Sequence, residues 1–137
     1  MRVAFVVQRY GTEVTGGAEL HCRWVAEHLA ERHRVEVLTT TATDYLSWDD
    51  VLPAGVTEAN GVTVRRFPVA RRRRIETFDP VANKVCFFEH TDEEEAQWVV
   101  EHGPVCPALV DHLRAHEAEY DAIVFFSYRY WTSWAGL

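Results

Sequence analysis

Cysteine is scarce in this chain: Cys22, Cys86 and Cys106 are the only three, they form no CxxC pair, and one thiol must stay unpaired. That excludes a disulfide framework and a four-cysteine zinc site, and it fits a reducing compartment. Long hydrophobic runs are missing as well. The N-terminal apolar stretch is only Val3 to Val7, followed by Gln8 and Arg9, too short for a signal peptide or a membrane span. The expected location is therefore cytoplasmic. Internal repeats and low-complexity linkers are lacking, and a net charge of -7 disfavours general nucleic-acid binding.

What is present suits one globular domain: 137 residues, 47% of them hydrophobic and 12% aromatic, which excludes disorder. The charge is unevenly spread. Residues 65 to 74 hold six arginines and no acid, whereas 75 to 121 hold twelve acids against Lys84 and Arg114. A basic patch is concealed in an acidic average, leaving room for a local anion site.

Val3 to Val7 is continuous and β-branched, as a strand buried on both faces of a parallel sheet reads. The loop from Gln8 to Gly17 follows. Ala18, Cys22, Val25, Ala26 and Leu29 then recur at helical spacing, with Glu19 and Arg23 at i,i+4 on the other face. Val35 to Thr40 predicts a second strand, completing a βαβ unit. Residues 41 to 61 show no period and read as a surface loop closing in a turn at Asn60-Gly61. Val62 to Phe67 predicts a third strand, and Asp79-Pro80 a break in the chain. Val85 to Phe88 is apolar but too short to assign. Thr91 to Glu94 has capping-box spacing and predicts a helix over 92–102 ended by Gly103-Pro104. A helix over 107–116 with Leu109, Val110 and Leu113 facing inward, and a buried strand over 121–126, complete the pattern. A loop with a helix start follows Ser127. The fold class expected is α/β, a Rossmann-like open and mostly parallel sheet flanked by helices. Ligands of such sheets sit beyond the carboxyl ends of the strands, where segments 9–19 and 127–131 fall.

Several residue groups could carry chemistry. Gly11, Gly16 and Gly17 lie between strand and helix, where bare backbone and free N–H groups favour a phosphate; the same glycines could simply make the turn. Their spacing is neither GxGxxG nor a P-loop. Glu19 could accept hydrogen bonds from a sugar or polar acceptor, or pair with Arg23 on an exposed face. Arg71, Arg72, Arg73 and Arg74, with Arg65 and Arg66, could grip a phosphate, an acidic polysaccharide or an anionic membrane surface, or be a solvated run. His112 and His116 stand at i,i+4, but HExxH is absent and no metal is expected. Ser127, Tyr128 and Arg129, with Trp131 and Trp134 after them, could form an aromatic lip for sugar rings or an ordinary domain interface.

The strand Val3 to Val7, the loop ending Thr15-Gly16-Gly17-Ala18-Glu19, the helix to Leu29, the strand His33 to Thr40 and the segment Gly61 to Phe67 together resemble the N-terminal half of a GT-B glycosyltransferase of family 4, also called group 1. The resemblance covers residues 1 to 69 and resumes from Tyr120 to Leu137. It implies metal-independent, configuration-retaining transfer of a sugar from a nucleotide donor to a saccharide, lipid-linked or small-molecule acceptor held by this domain. On that resemblance Gly16 and Gly17 approach the donor diphosphate, and Tyr10, Gly11, Glu19 and Arg129 face the acceptor cleft. Ser127, with Tyr128 after it, stands where many members carry a histidine. The family's second, nucleotide-sugar-binding domain with its Glu-x7-Glu signature lies outside residues 1–137, so the resemblance implies that domain as the partner. It also implies no cofactor, no turnover by this portion alone, and contact at most with the inner face of a membrane. The other reading open at this stage is a non-catalytic α/β binding or protein-interaction module.

Overall fold

The computed structural model describes residues 1–137. Five strands, β1 (Arg2–Val6), β2 (Arg34–Thr40), β3 (Gly55–Ala59), β4 (Val62–Phe67) and β5 (Ala122–Phe125), form one sheet in the order β3-β4-β2-β1-β5. The pairs β1–β2, β1–β5 and β2–β4 are parallel; β3 runs antiparallel to β4. The fold is thus α/β with a mostly parallel sheet, as the alternating pattern predicts.

Alternation along β1 explains why its apolar run is unbroken. Val3, Phe5 and Val7 face α1 (Gly17–Ala30), packing with Cys22 and Ala26 and with Val37 and Val64 from the neighbouring strands. Ala4 and Val6 face the opposite layer, where α4 (Pro107–His116) sets Leu109 and Leu113 against them and against Leu38. Both faces of the central strands are therefore dry. Full burial of such side chains stabilises by roughly 1.5–3 kcal/mol each. No helix is long and apolar enough to cross a membrane.

α3 (Asp92–His102) begins on the expected capping box: the Thr91 hydroxyl accepts from the Glu94 N–H at 3.3 Å, and the Glu94 carboxylate accepts from the Thr91 N–H at 2.9 Å. Four acids in its first turn lie at the positive end of the helix dipole.

Four expectations are corrected. Residues 41 to 61 are not all surface loop. They contain β3, an exposed edge strand joined to β4 through Asn60 and Gly61, whose φ angles of 51° and 78° match a tight hairpin turn. They also bury Trp48 completely, its indole N–H donating to the His102 carbonyl at 2.7 Å. Pro80 does not break the chain: α2 (Ile75–Phe87) runs through it. Proline withholds one N–H there, and on a helix with no buried residue water meets the freed carbonyl. β5 is an edge strand and not a fully buried one, with Val124 39% exposed. Finally, Glu19 does not pair with Arg23 on an exposed face; Arg23 lies 4.0 Å from Glu27 and donates to the Gly11 carbonyl.

Candidate functional site

Chain order reverses at β1, whose neighbours are β2 on one side and β5 on the other. Loops leaving the carboxyl ends of β1 and β5 diverge at this switch point, and a cleft of about 310 Å³ opens between them. Gly16, Gly17 and Glu19 line it from the first loop and α1, Ser127 and Arg129 from the second. The two segments singled out in the sequence thus meet in space.

The floor is a buried ion pair. Glu19 is only 6% exposed, and its Oε1 accepts from Gln8 Nε2 at 2.9 Å, from Arg9 Nε at 2.9 Å and from Arg9 Nη2. Arg9 is tied further to the carbonyls of Thr43 and Thr15 at 3.0 and 3.4 Å, and it lies over the Tyr45 ring. This arrangement explains Gly16. Its φ of 172° is ordinary extended backbone, but a Cβ there would lie 2.2 Å from Glu19 Oε2.

Gly17 differs: a Cβ on it would meet nothing within 4 Å. Packing does not require glycine at that position. α1 has no side-chain cap, and its first backbone bond runs from the Leu20 N–H to the Gly16 carbonyl, leaving the amides of Gly17, Ala18 and Glu19 outside the helical ladder at the cleft. Arg9 is neutralised by Glu19. Arg129 is exposed and bonded to no carboxylate. Unpaired amides at a helix N-terminus beside an unpaired guanidinium give a cleft that favours an anion.

Tyr45 and Tyr130 supply the aromatic walls. Trp131 instead packs against the α4-side core, and Trp134 lies exposed on α5 (Trp131–Gly136), so neither tryptophan lines this cleft. Ser127 holds a φ of 70° in the left-handed region, and its carbonyl accepts from the Ser133 hydroxyl at 2.7 Å. Such a conformation in a non-glycine residue costs about 1–3 kcal/mol. Tyr128 is 87% exposed and is not among the residues lining the cleft. Tyr10 is also elsewhere: its side chain belongs to the α1-side core, where burial pushes its phenol pKa up. Gly11 lines a separate small hollow with it.

Behind Tyr130 lies a cluster that no sequence signal pointed to. His102 is buried, 4.8 Å from the Tyr130 ring and 5.3 Å from those of Phe78 and Trp98, with neither ring nitrogen hydrogen-bonded. Burial, with Arg73 and Arg129 nearby, pushes its pKa down to about 4. The neutral imidazole packs as an aromatic ring.

The arginine run is mostly spoken for. Arg65 bonds Glu36 at 2.8 Å, Arg66 donates to Thr57 and to the Tyr10 carbonyl, Arg71 pairs with Glu101, and Arg72 lies 2.9 Å from Asp49. Arg73 turns inward, donating to the His102 carbonyl between Trp48 and Phe78. Arg71 to Arg74 do line one hollow of about 670 Å³; there Arg71 and Arg72 face Glu101 and Asp49, Arg73 is held by a carbonyl, and Arg74 has no carboxylate partner. His112 and His116 stack on each other at 4.1 Å, and no group of three metal-ligating side chains gathers anywhere in the structure.

Comparison with protein-family models, curated proteins and solved structures finds no match to this chain.

Proposed function

We propose that this chain is the acceptor-side half of a retaining glycosyltransferase of GT-B architecture, with the donor diphosphate seated at the N-terminus of α1. One observation carries the reading: the amides of Gly17 and Ala18 are unpaired at the switch-point cleft, at a position where glycine has no packing reason, with unpaired Arg129 on the facing loop. In such a transfer negative charge grows on the departing nucleoside diphosphate. Fixed amides and a guanidinium stabilise that charge without reorganising, which is what lowers the barrier. Glu19 acts here as a positioning residue, since its Oε1 is consumed by Gln8 and Arg9. Its role is to hold Arg9 and the first turn of α1 in place. Tyr45 and Tyr130 suit the apolar face of a sugar ring.

The reading is tested by titrating the isotope-labelled chain with uridine diphosphate, guanosine diphosphate and inorganic pyrophosphate while following amide resonances. Shifts at Gly16 to Glu19 and at Arg129 are the expected result. No shift with any of them, or shifts confined to Arg71 to Arg74, would overturn it. A non-catalytic interaction module remains the second reading because α2 leaves Phe87 and Phe88 77% and 62% exposed.

A further inference from the structure

We infer that the tip of the α2–α3 hairpin docks a basic, amphipathic segment of another protein, one that combines lysine or arginine with a stripe of large apolar residues. α2 and α3 run antiparallel, and the two ends of the hairpin differ. At the foot, the Thr77 hydroxyl donates to Glu101 at 2.9 Å, Phe78 packs against the buried His102, and Val99 is buried, so this end is rooted in the domain. At the tip, where Lys84 lies 3.9 Å from Glu94, every residue from Cys86 to Glu93 is exposed. About 14 Å along the helix axis separates Phe87 from Phe78 and the packing that holds the foot.

Phe87 closes α2 and Phe88 caps it in extended backbone, 77% and 62% exposed. Neither belongs to the core on either side of the sheet. Large apolar side chains grouped on an exposed tip and rimmed by polar residues mark a surface that another molecule covers.

Charge says which molecule. Glu89 and Asp92 to Glu95 flank the pair, and of these five acids only Glu94 lies in an ion pair, with Lys84. The capping box accounts for Glu94, and the acids of the first turn suit the helix dipole. That dipole is worth roughly half a unit charge, however, so most of the negative charge stays uncompensated, and Glu89 stands before the helix altogether. A basic amphipathic segment meets both features at once, its apolar stripe on the phenylalanines and its cations on the carboxylates. A second copy of this chain would instead set the same acids against each other. An anionic membrane surface would repel them, and helices that lie on such surfaces carry lysine and arginine on their polar face.

Titrating the isotope-labelled full chain with a synthetic amphipathic helix of leucine and lysine, while following amide resonances, tests the proposal. Saturable shifts centred on Cys86 to Glu95 are expected, with none from the same helix carrying glutamate for lysine and weaker binding by polylysine. The amides of Gly16 to Glu19 should stay unmoved, so docking at the tip and anion binding in the cleft are read on separate resonances. Phe87→Ser, at an exposed position, should weaken binding by about tenfold or more with an unchanged circular-dichroism spectrum. Glu89→Lys should weaken it too. Phe88→Ser serves if Phe87→Ser fails to fold, and Trp24→Ser, at an exposed aromatic on α1, should bind as the unsubstituted chain does. In the cell, p-benzoylphenylalanine in place of Phe87 should cross-link to a protein segment of basic and apolar composition. Polylysine binding as tightly as the amphipathic helix, binding indifferent to Phe87→Ser and Phe88→Ser, or the lack of such a cross-link overturns the assignment. So does binding to phosphatidylglycerol vesicles, or a doubled mass in light scattering, that Phe87→Ser abolishes; the tip would then belong to a lipid surface or to a second copy.

Discussion

Two glutamates, Glu19 and Glu36, are each 6% exposed and each held by guanidinium groups, at opposite ends of the parallel strands. Glu19 lies at the carboxyl end beside the cleft, with Arg9 as partner; the Arg9 side chain is 7% exposed. Glu36 lies at the amino end and accepts from Arg2, Arg65 and the Tyr120 hydroxyl, tying β2 to β1, β4 and the segment before β5. The arginines of Glu36 are 37% and 31% exposed. Equal burial of the carboxylate therefore hides unequal burial of the partner. Water can replace Glu36 at its arginines far more readily than it can replace Glu19 at Arg9. The end of the sheet that carries the cleft is also the end where an unpaired charge has nowhere to go.

The largest expected effect follows directly. Glu19→Ala strands a buried guanidinium and should cost about 3–5 kcal/mol of unfolding free energy, measured by denaturant titration. Acid should loosen the same end first. His102 has a folded-state pKa of about 4 against an ordinary 6.5. Between those values the unfolded chain binds more protons, so stability falls as pH drops through that window, by up to roughly 3 kcal/mol. His102→Phe should flatten that slope.

At the amino end the expected losses are smaller. Glu36→Ala leaves one buried acceptor-less hydroxyl on Tyr120 and two arginines that can hydrate, for about 1–3 kcal/mol. Burial pushes the Glu36 carboxyl up, but bonds from Tyr120, Arg65 and Arg2 outweigh it and hold the pKa below the ordinary 4.5. Its contribution is thus complete above 4.5 and lost only as pH falls further. If Glu36→Ala proves costlier than Glu19→Ala in the same titration, partner burial is not what separates the two ends.

Much of this was legible in the sequence because it rests on local signals. Apolar runs, weak alternation and period-3.6 spacing locate β1, α1, β2, β4 and α4, and the Thr91–Glu94 box starts α3 within its own first turn. Gly16, Gly17, Ser127 and Arg129 were placed at one cleft by the rule that strand carboxyl ends face ligands. The rest depends on partners distant in the chain. Nothing near Glu19 reveals that Arg9 will reach it across the loop, nor that Trp48 will fill the space over His102. β3 carries no such signal because an edge strand exposed on both sides has no alternation to show. Tyr10, read as a cleft residue, turns into the core because only its backbone carbonyl is needed at the surface, where Arg66 bonds it.

The smallest expected effect on stability discriminates most finely between packing and ligand binding, because two adjacent glycines differ in their reason for being glycine. Gly16→Ala must displace the Glu19 carboxylate by its new Cβ and so weaken the hold on Arg9, giving a muted form of the Glu19→Ala loss. Gly17→Ala adds a methyl into open space in the first turn of α1, where alanine is the better helix former. Its stability should be unchanged or raised by a few tenths of a kcal/mol, to about 1 at most. Yet that methyl stands among the unpaired amides and should weaken the pyrophosphate and nucleoside-diphosphate shifts markedly. Should Gly17→Ala bind those probes as the unsubstituted chain does, the glycine pair is only a turn, and the contrast between the two ends of the sheet is one of stability alone.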